Sequence, residues 1–305
     1  MANEIQFSNS QNRTLTEVLN GFFTLIYADR DILFNHQALI KIDDPTPGGS
    51  TTVQVPEVGW MGFDQLTAVA EGAAIGNTAL TEQESLISVG RYGKRYEHSE
   101  LAKMTDVYGL LDPQSFAQDA VVSGGMTLTN LIAGLMGGFS STVGATGVNL
   151  SVQNWYDAIT TLELANVKGR YLADIHGRQY ADLRDALRAE TGVIEHMEAT
   201  EAQMETRSSA FKGSVGGVDI FASNQVPTAN AGADRAGGMF GRGAILWADA
   251  QIMPNPAVAF QIIAGRMSIN FAYDDRRAMT GATTNYYLGV TEGQDAGGVA
   301  IITDA

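Results

Sequence analysis

Between Ile42 and Gly90 the chain carries seven acids (Asp43, Asp44, Glu57, Asp64, Glu71, Glu82 and Glu84) and no lysine or arginine. Its large apolar side chains there are chiefly Trp60, Met61, Phe63 and Leu66. A segment so poor in apolar area cannot build a core of its own, and one so one-sided in charge repels itself. It must lie on another surface, and a cationic one suits it. Asp-Asp-Pro-Thr-Pro-Gly-Gly at 43–49 breaks any helix. Val53 and Val55 alternate with polar neighbours over Thr51–Val58, and a second extended stretch runs from Ser85 to Tyr96. Between them lies a Gly- and Ala-rich excursion through Gly59, Gly62, Gly72 and Gly76. The whole reads as a wide hairpin. Trp60 and Phe63 have two readings: a local anchor within the loop, or an anchor in an interface, where aromatics concentrate. The exposed-loop context favours the second.

The rest of the chain is ordinary globular material. Its 305 residues allow one large domain or two smaller ones, with 45% apolar and 17% charged residues. The absence of cysteine excludes disulfide frameworks, thiol nucleophiles and thiolate metal sites. A net charge of −15 argues against gripping DNA, RNA or an anionic membrane. The stretch Ala120–Tyr156 holds no charged residue, but Thr127, Thr129, Asn130, Ser140, Ser141, Thr142, Asn149 and Ser151 interrupt it. It therefore reads as a buried helix followed by a polar loop, not a membrane span. The N-terminal residues Met1–Thr14 are polar and do not read as a secretory signal.

Local patterns predict the remaining elements. Leu15, Val18, Leu19 and Phe22 fit a short amphipathic helix, and an apolar segment covers Ile32–Ile42. After a basic patch at Arg91, Lys94 and Arg95, Ser99 can cap a short helix reaching Val107. The clearest helix starts with Asp112 as N-cap and Pro113 at the first helical position, and stops at Gly137-Gly138. Its stripe is Phe116, Ala117, Ala120, Val121, Leu128, Leu131, Ile132 and Leu135, read as core. Residues 150–250 read as mixed α/β: helices at Asn154–Asn166 and Arg178–Glu190, a strand at Tyr171–Ile175, a hairpin around Gly216-Gly217, a Gly/Ala-rich loop over Asn224–Gly243, and a buried strand at Ala244–Trp247. The last 50 residues alternate as strands through Met267–Tyr273, Tyr286–Val290 and Val299–Ile301, with a charged turn at Asp274-Asp275-Arg276-Arg277.

The search for chemistry returns little. There is no phosphate-binding loop of the Walker type, no nucleophile elbow and no dinucleotide fingerprint. His36, His98, His176 and His196 show no helical metal spacing. Asp174 and His176 could share a strand face, but they sit at a strand end before Gly177. Glu195, Glu198 and Glu201 read as a solvated face, because tuning a carboxyl for catalysis needs burial or a close partner.

The run SLISVGRYGKRYEHSEL at Ser85–Leu101 resembles the returning strand of an extended loop entering a spine. Asp112–Gly138 resembles a spine helix, and Trp155–Glu190 with Phe211–Trp247, including FASNQVP at 221–227, resembles an axial domain. Ile269–Ile302 resembles the closing strands of a peripheral domain. In this order the elements are similar to those of the tailed-bacteriophage major capsid proteins, whose fold is shared with encapsulin shells and the herpesvirus capsid floor. The resemblance implies an α+β fold in four parts. These are an N-terminal arm at 1–42, an extended β-hairpin loop at 43–97, a peripheral domain at 98–149 and 255–305 with the spine helix at about 112–138, and an axial α/β domain at 150–254.

It also implies a virion shell subunit, assembled in the host cytoplasm into hexamers and pentamers around packaged DNA. The extended loop of one subunit would lie over its neighbour. The expected partners are further copies of the chain, a separate scaffolding protein, a portal and, as further candidates, decoration proteins. Sequence-specific nucleic-acid binding, membranes, cofactors, metals and catalysis are not expected. The candidate contact residues are Trp60, Phe63, Glu71, Glu82 and Glu84 on the loop, and Arg91, Lys94, Arg95, Arg266, Arg276 and Arg277 as its cationic counterparts. Exposed ion pairs contribute only ~0–1 kcal/mol each and would mainly set register. Some family members join a loop lysine covalently to a neighbour. No lysine lies between Lys41 and Lys94 here, so no such crosslink is expected. The alternatives are an encapsulin-like compartment and, from a different class, a soluble α/β hydrolase using Asp174, His176 and Asp182.

Overall fold

The computed structural model describes residues 36–42, 51–58, 82–106, 113–189, 196–198, 210–250, 252, 260–264 and 267–304. In chain order its first elements are β1 (Leu39–Ile42), β2 (Thr52–Val58), β3 (Glu82–Ser88), β4 (Gly90–Ser99), α1 (Glu100–Met104), α2 (Pro113–Met136), β5 (Thr142–Val143), α3 (Val152–Leu164), β6 (Leu172–Ile175) and α4 (Gly177–Ala189). There follow β7 (His196–Glu198), β8 (Phe211–Val215), β9 (Val218–Ala222), β10 (Thr228–Ala229), β11 (Asp234–Phe240), β12 (Ile245–Asp249), β13 (Phe260–Ala264), β14 (Met267–Asp274), β15 (Met279–Glu292) and β16 (Gly298–Asp304).

Helix starts and stops follow local chemistry. The Ser99 and Ser151 hydroxyls accept from Ala102 and Asn154 N–H and cap α1 and α3. The Gly137-Gly138 pair ends α2, with Gly138 N–H donating to the Leu135 carbonyl at 2.9 Å. At 24 residues α2 is a rod of about 36 Å. Its inner stripe, Phe116, Ala120, Val121, Leu128, Ile132 and Met136, is buried.

Two sheets share this helix. The six-stranded sheet runs β1-β12-β15-β14-β13, with β4 also on β15. The eight-stranded sheet runs β5-β16-β11-β6-β9-β8-β7, with β10 on β11. One core lies under α2 and draws on both sheets: Ile132 and Met136 meet Phe240 and Leu172 from one, and Trp247, Tyr286 and Leu288 from the other. A second core fills the space between the eight-stranded sheet and α3 and α4, through Trp155, Leu162, Leu183, Ile220, Met239 and Ile301. Met239 and Phe240 fall in different cores because successive strand residues point to opposite faces.

Two expectations are corrected. The segment Asn224–Gly243 is not a loop throughout, since β11 within it is a central strand between β16 and β6. Its Gly237-Gly238 pair is there for close packing. A Cβ at Gly237 would stand 2.9 Å from Gln179 Oε1, and one at Gly238 would stand 2.8 Å from Met136 Cβ. A helix presses on each face of this strand, and only glycine admits both. Val299 and Ile301 do not extend the sheet of β14 and β15, because β16 pairs antiparallel with β11 and parallel with β5. Conversely, β12 leaves the α/β region and pairs with β1 and β15.

Candidate functional site

Among the described residues the acid-rich hairpin is anchored at its root. β2 and β3 pair antiparallel from Thr52↔Ser88 to Val58↔Glu82 and form a two-stranded sheet with no third strand among the described residues. At the root Ile87 is fully buried against Leu246 and Ala248 of β12, with Ile40, Ile42, Val55 and Val89 around it. Val89 N–H closes the base by donating to the Thr51 carbonyl at 2.8 Å. Gly289 of β15 lets β3 cross there, since a Cβ on it would run into the Ser88 carbonyl. The register puts Glu82 opposite Val58 and Glu84 opposite Pro56. Trp60, Phe63, Glu71 and Arg266 lie outside the described residues, as does the amphipathic segment at Leu15–Phe22.

The chain continues from the hairpin into β4, which carries the basic patch along β15. Alternation separates its cations. Lys94 shares a face with Tyr96 and His98, against the start of α2. Its ammonium lies 3.1 Å from Asp119 and 4.5 Å over the Tyr96 ring. The Tyr96 hydroxyl donates to Asp119 at 2.8 Å, and Tyr96 and His98 both pack on Phe116. Hydrogen bonding to Tyr96 and then Asp119 raises the Lys94 pKa above its ordinary value. Arg91 and Arg95 belong to the opposite face. Arg91 donates through Nε and Nη2 to Asn285 Oδ1 at 2.8 and 2.6 Å, and Arg95 meets exposed Glu97 at 2.7 Å. The far end of this sheet holds Arg276 and Arg277, both exposed. Arg277 lies 3.8 Å from Asp274, and the Arg276 side chain meets no partner among the described residues.

Sequence reasoning missed the apolar part of that far end. Leu101 and Met104 of α1 are 71% and 85% exposed, and Tyr273 is 56% exposed while its hydroxyl donates to Glu100 at 2.6 Å. The signal was present as an apolar pair three residues apart on a capped helix. The surface thus combines a self-paired acidic hairpin, an edge strand with arginines on one face, and a basic, partly apolar tip.

The rival catalytic residues point elsewhere. Asp174 is buried within β6. His176 Nδ1 accepts from Arg178 N–H at 3.3 Å, and Asn149 Nδ2 donates to Asp182 at 3.4 Å. Burial, then Arg235 and Arg178, lowers the His176 pKa, while burial, then Asp185 and Asp304, raises that of Asp182. The first ring is held by backbone and the second group by an amide, which describes a helix start and a surface contact. Among the described residues no group of three or more His, Asp or Glu could hold a metal ion, and no helix is long and apolar enough to cross a membrane.

Two sheets bridged by one long helix, with a hairpin rooted on one of them, make up a fold shared with phage capsid subunits. The structure is similar to the capsid of Ralstonia phage GP4 at a TM-score of 0.61 and 12% identity, covering 89% of this chain and 90% of that one. It is similar to the capsid of Helicobacter pylori bacteriophage KHP30 at 0.58 and 10%, covering 88% of each chain. An encapsulin complex from Synechococcus elongatus matches at 0.56 and 12%, covering 89% of this chain and 87% of that one. No protein-family model and no curated protein sequence matches the chain.

Proposed function

We propose that the chain is the major capsid protein of a tailed double-stranded DNA phage, self-assembling as hexamers and pentamers of an icosahedral shell. The observation that carries this reading is the hairpin of β2 and β3. Its root is buried in its own subunit, and its strands pair only with each other among the described residues. An acidic segment built this way gains stability when it lies on a second copy. Arg91 and Arg95 on β4, with Arg276 and Arg277 at the sheet's far end, offer the complementary charge, and Leu101 and Met104 offer apolar area. The match along almost the whole length of capsid subunits supports the same reading.

In this proposal residues 1–42 act as an arm and 43–97 as the extended loop. Residues 98–149 and 255–305 form the peripheral domain, and 150–254 the axial domain, with β12 and β16 exchanged between the two sheets. The role is structural and non-enzymatic, in a virion assembled in the host cytoplasm. A separate scaffolding protein and a portal would be partners, with decoration proteins as further ones. The encapsulin match favours a second reading, a cargo compartment of the same architecture. Negative-stain microscopy of the purified protein tests both. Capsomers or particles of tens of nanometres are expected, and their size and contents separate phage shell from compartment. A small, monodisperse oligomer at all concentrations would overturn both.

A further inference from the structure

β4 is an edge strand. Among the described residues it pairs with β15 alone, and Arg91–Arg95 are exposed throughout. One bond fixes which of its backbone groups are free. Glu100 N–H donates to the Ala278 carbonyl at 3.0 Å, continuing the ladder that sets Ser99 opposite Met279. In an antiparallel ladder opposite residues exchange bonds at every second pair. Even-numbered residues of β4 therefore bond to β15, and Arg91, Gly93, Arg95 and Glu97 turn their N–H and carbonyl groups outward. The far side of β15 agrees with this phase, since the carbonyl of odd-numbered Tyr287 accepts from Ala250 N–H beyond the end of β12.

The same accounting applies to the hairpin. Val89 N–H donates to the Thr51 carbonyl and extends the ladder of β2 and β3. Odd-numbered residues of β3 therefore face β2, and the backbone groups of Glu82, Glu84 and Leu86 turn outward, with Leu86 53% exposed. The outer edge of β2 is blunted, because Pro56 falls at an outward position and has no N–H to give. β3 is thus the hairpin's pairing edge. Val89 faces β2 while Gly90 stands opposite Leu288 of β15, so the alternation runs unbroken from β3 into β4. The two open edges lie on opposite sides of this one run. We propose that β3 of one copy adds as a further strand to the open edge of β4 on a second copy.

Charge selects this pairing over its rivals. β3 brings Glu82 and Glu84, and β4 brings Arg91, Lys94 and Arg95. Pairing β3 with β3, or β4 with β4, would set like charges side by side. Because the two edges differ, each copy gives one edge and receives on the other, the head-to-tail contact from which rings are built. The proposal rests on the shell reading above and names the backbone contact within it.

Hydrogen–deuterium exchange of the full-length wild-type protein, compared between particles and unassembled subunits, tests it. Peptides within 82–88 and within 90–97 should each gain about tenfold in protection on assembly. Particles in which either segment exchanges as in the subunit would overturn the proposal and leave the shell reading intact, whereas a protein that never forms particles would overturn both. Two variants separate backbone pairing from charge. Arg95→Pro removes an outward N–H but no bond to β15, so the subunit should keep its circular dichroism spectrum yet lose about tenfold in particle yield by sedimentation velocity. Arg95→Ala keeps the N–H and should retain most of the yield. Equal yields from the two variants would overturn the proposal. If Arg95→Pro does not fold, the exchange measurement on the wild-type protein decides.

Discussion

Gly238 of β11 lies so close beneath Met136 of α2 that a Cβ on the glycine would stand 2.8 Å from the methionine Cβ. This contact seats the end of the long helix on the centre of the eight-stranded sheet. Gly238→Ala should therefore destabilise the protein by ~1–3 kcal/mol through overpacking. Urea unfolding followed by circular dichroism measures it. A midpoint equal to wild type would show that the helix yields freely.

Ile87 anchors the hairpin, so Ile87→Ala removes apolar area from a fully buried site. A cost of ~2–5 kcal/mol is expected for such a truncation. The loss should be local first, with proteolysis between Val58 and Glu82 accelerating before the remainder melts. Uniform melting of all elements together would place the hairpin root inside the main cooperative unit instead.

The cations of β4 should separate in their effects. The Lys94–Asp119 pair is exposed on both sides, so Lys94→Ala should change monomer stability by less than ~1 kcal/mol. Arg91→Glu with Arg95→Glu should also leave a folded monomer, yet suppress particle formation read by sedimentation velocity. Particles of normal yield from the double variant would remove these arginines from the interface.

Asp234 closes the turn before β11. It accepts from Gly147 N–H at 3.1 Å and from the Asn230 amide, within a turn where Asn230 and Ala231 hold left-handed φ values of 49° and 57°. Hydrogen bonds from Asn230 and then Gly147 lower its pKa below the ordinary aspartate value. A depressed carboxyl stabilises the fold above its unfolded pKa, and that contribution fades as pH falls through the folded value. Asp234→Ala should thus lower the Tm at pH 7 and approach wild type near pH 2. A Tm difference independent of pH would show that charge plays no part.

Much of the architecture was legible because its causes are local. Ser99, Pro113 and Gly137-Gly138 mark helix ends through groups within a few residues of them, whereas Ser151 caps a helix that apolar spacing starts at Asn154. Gly216 and Gly217, at φ 59° and 80°, turn a hairpin that any reader of the pair would expect. The candidate site was legible as composition, with acids on one segment and cations after it, but not as geometry. Lys94 finds Asp119 some 25 residues further on, and the same alternation sends Arg91 and Arg95 to the other face. The bond from Ser140 N–H to Asp295 carried no pattern at all, because it joins residues 155 positions apart.

Spacing, caps and turn residues act over one to four positions, so the chain's own order is enough to specify which segments become helix or strand. Which strand lies beside which depends on contacts between residues far apart along the chain. β11 is a strand through its ladders with β16 and β6, with Met136 and Gln179 close on its two faces, and β16 joins it although β15 is nearer in sequence. Alternating apolar residues mark a segment as a strand with two faces, but any sheet of matching polarity can receive it. Only the packing of α2 across both sheets selected among them.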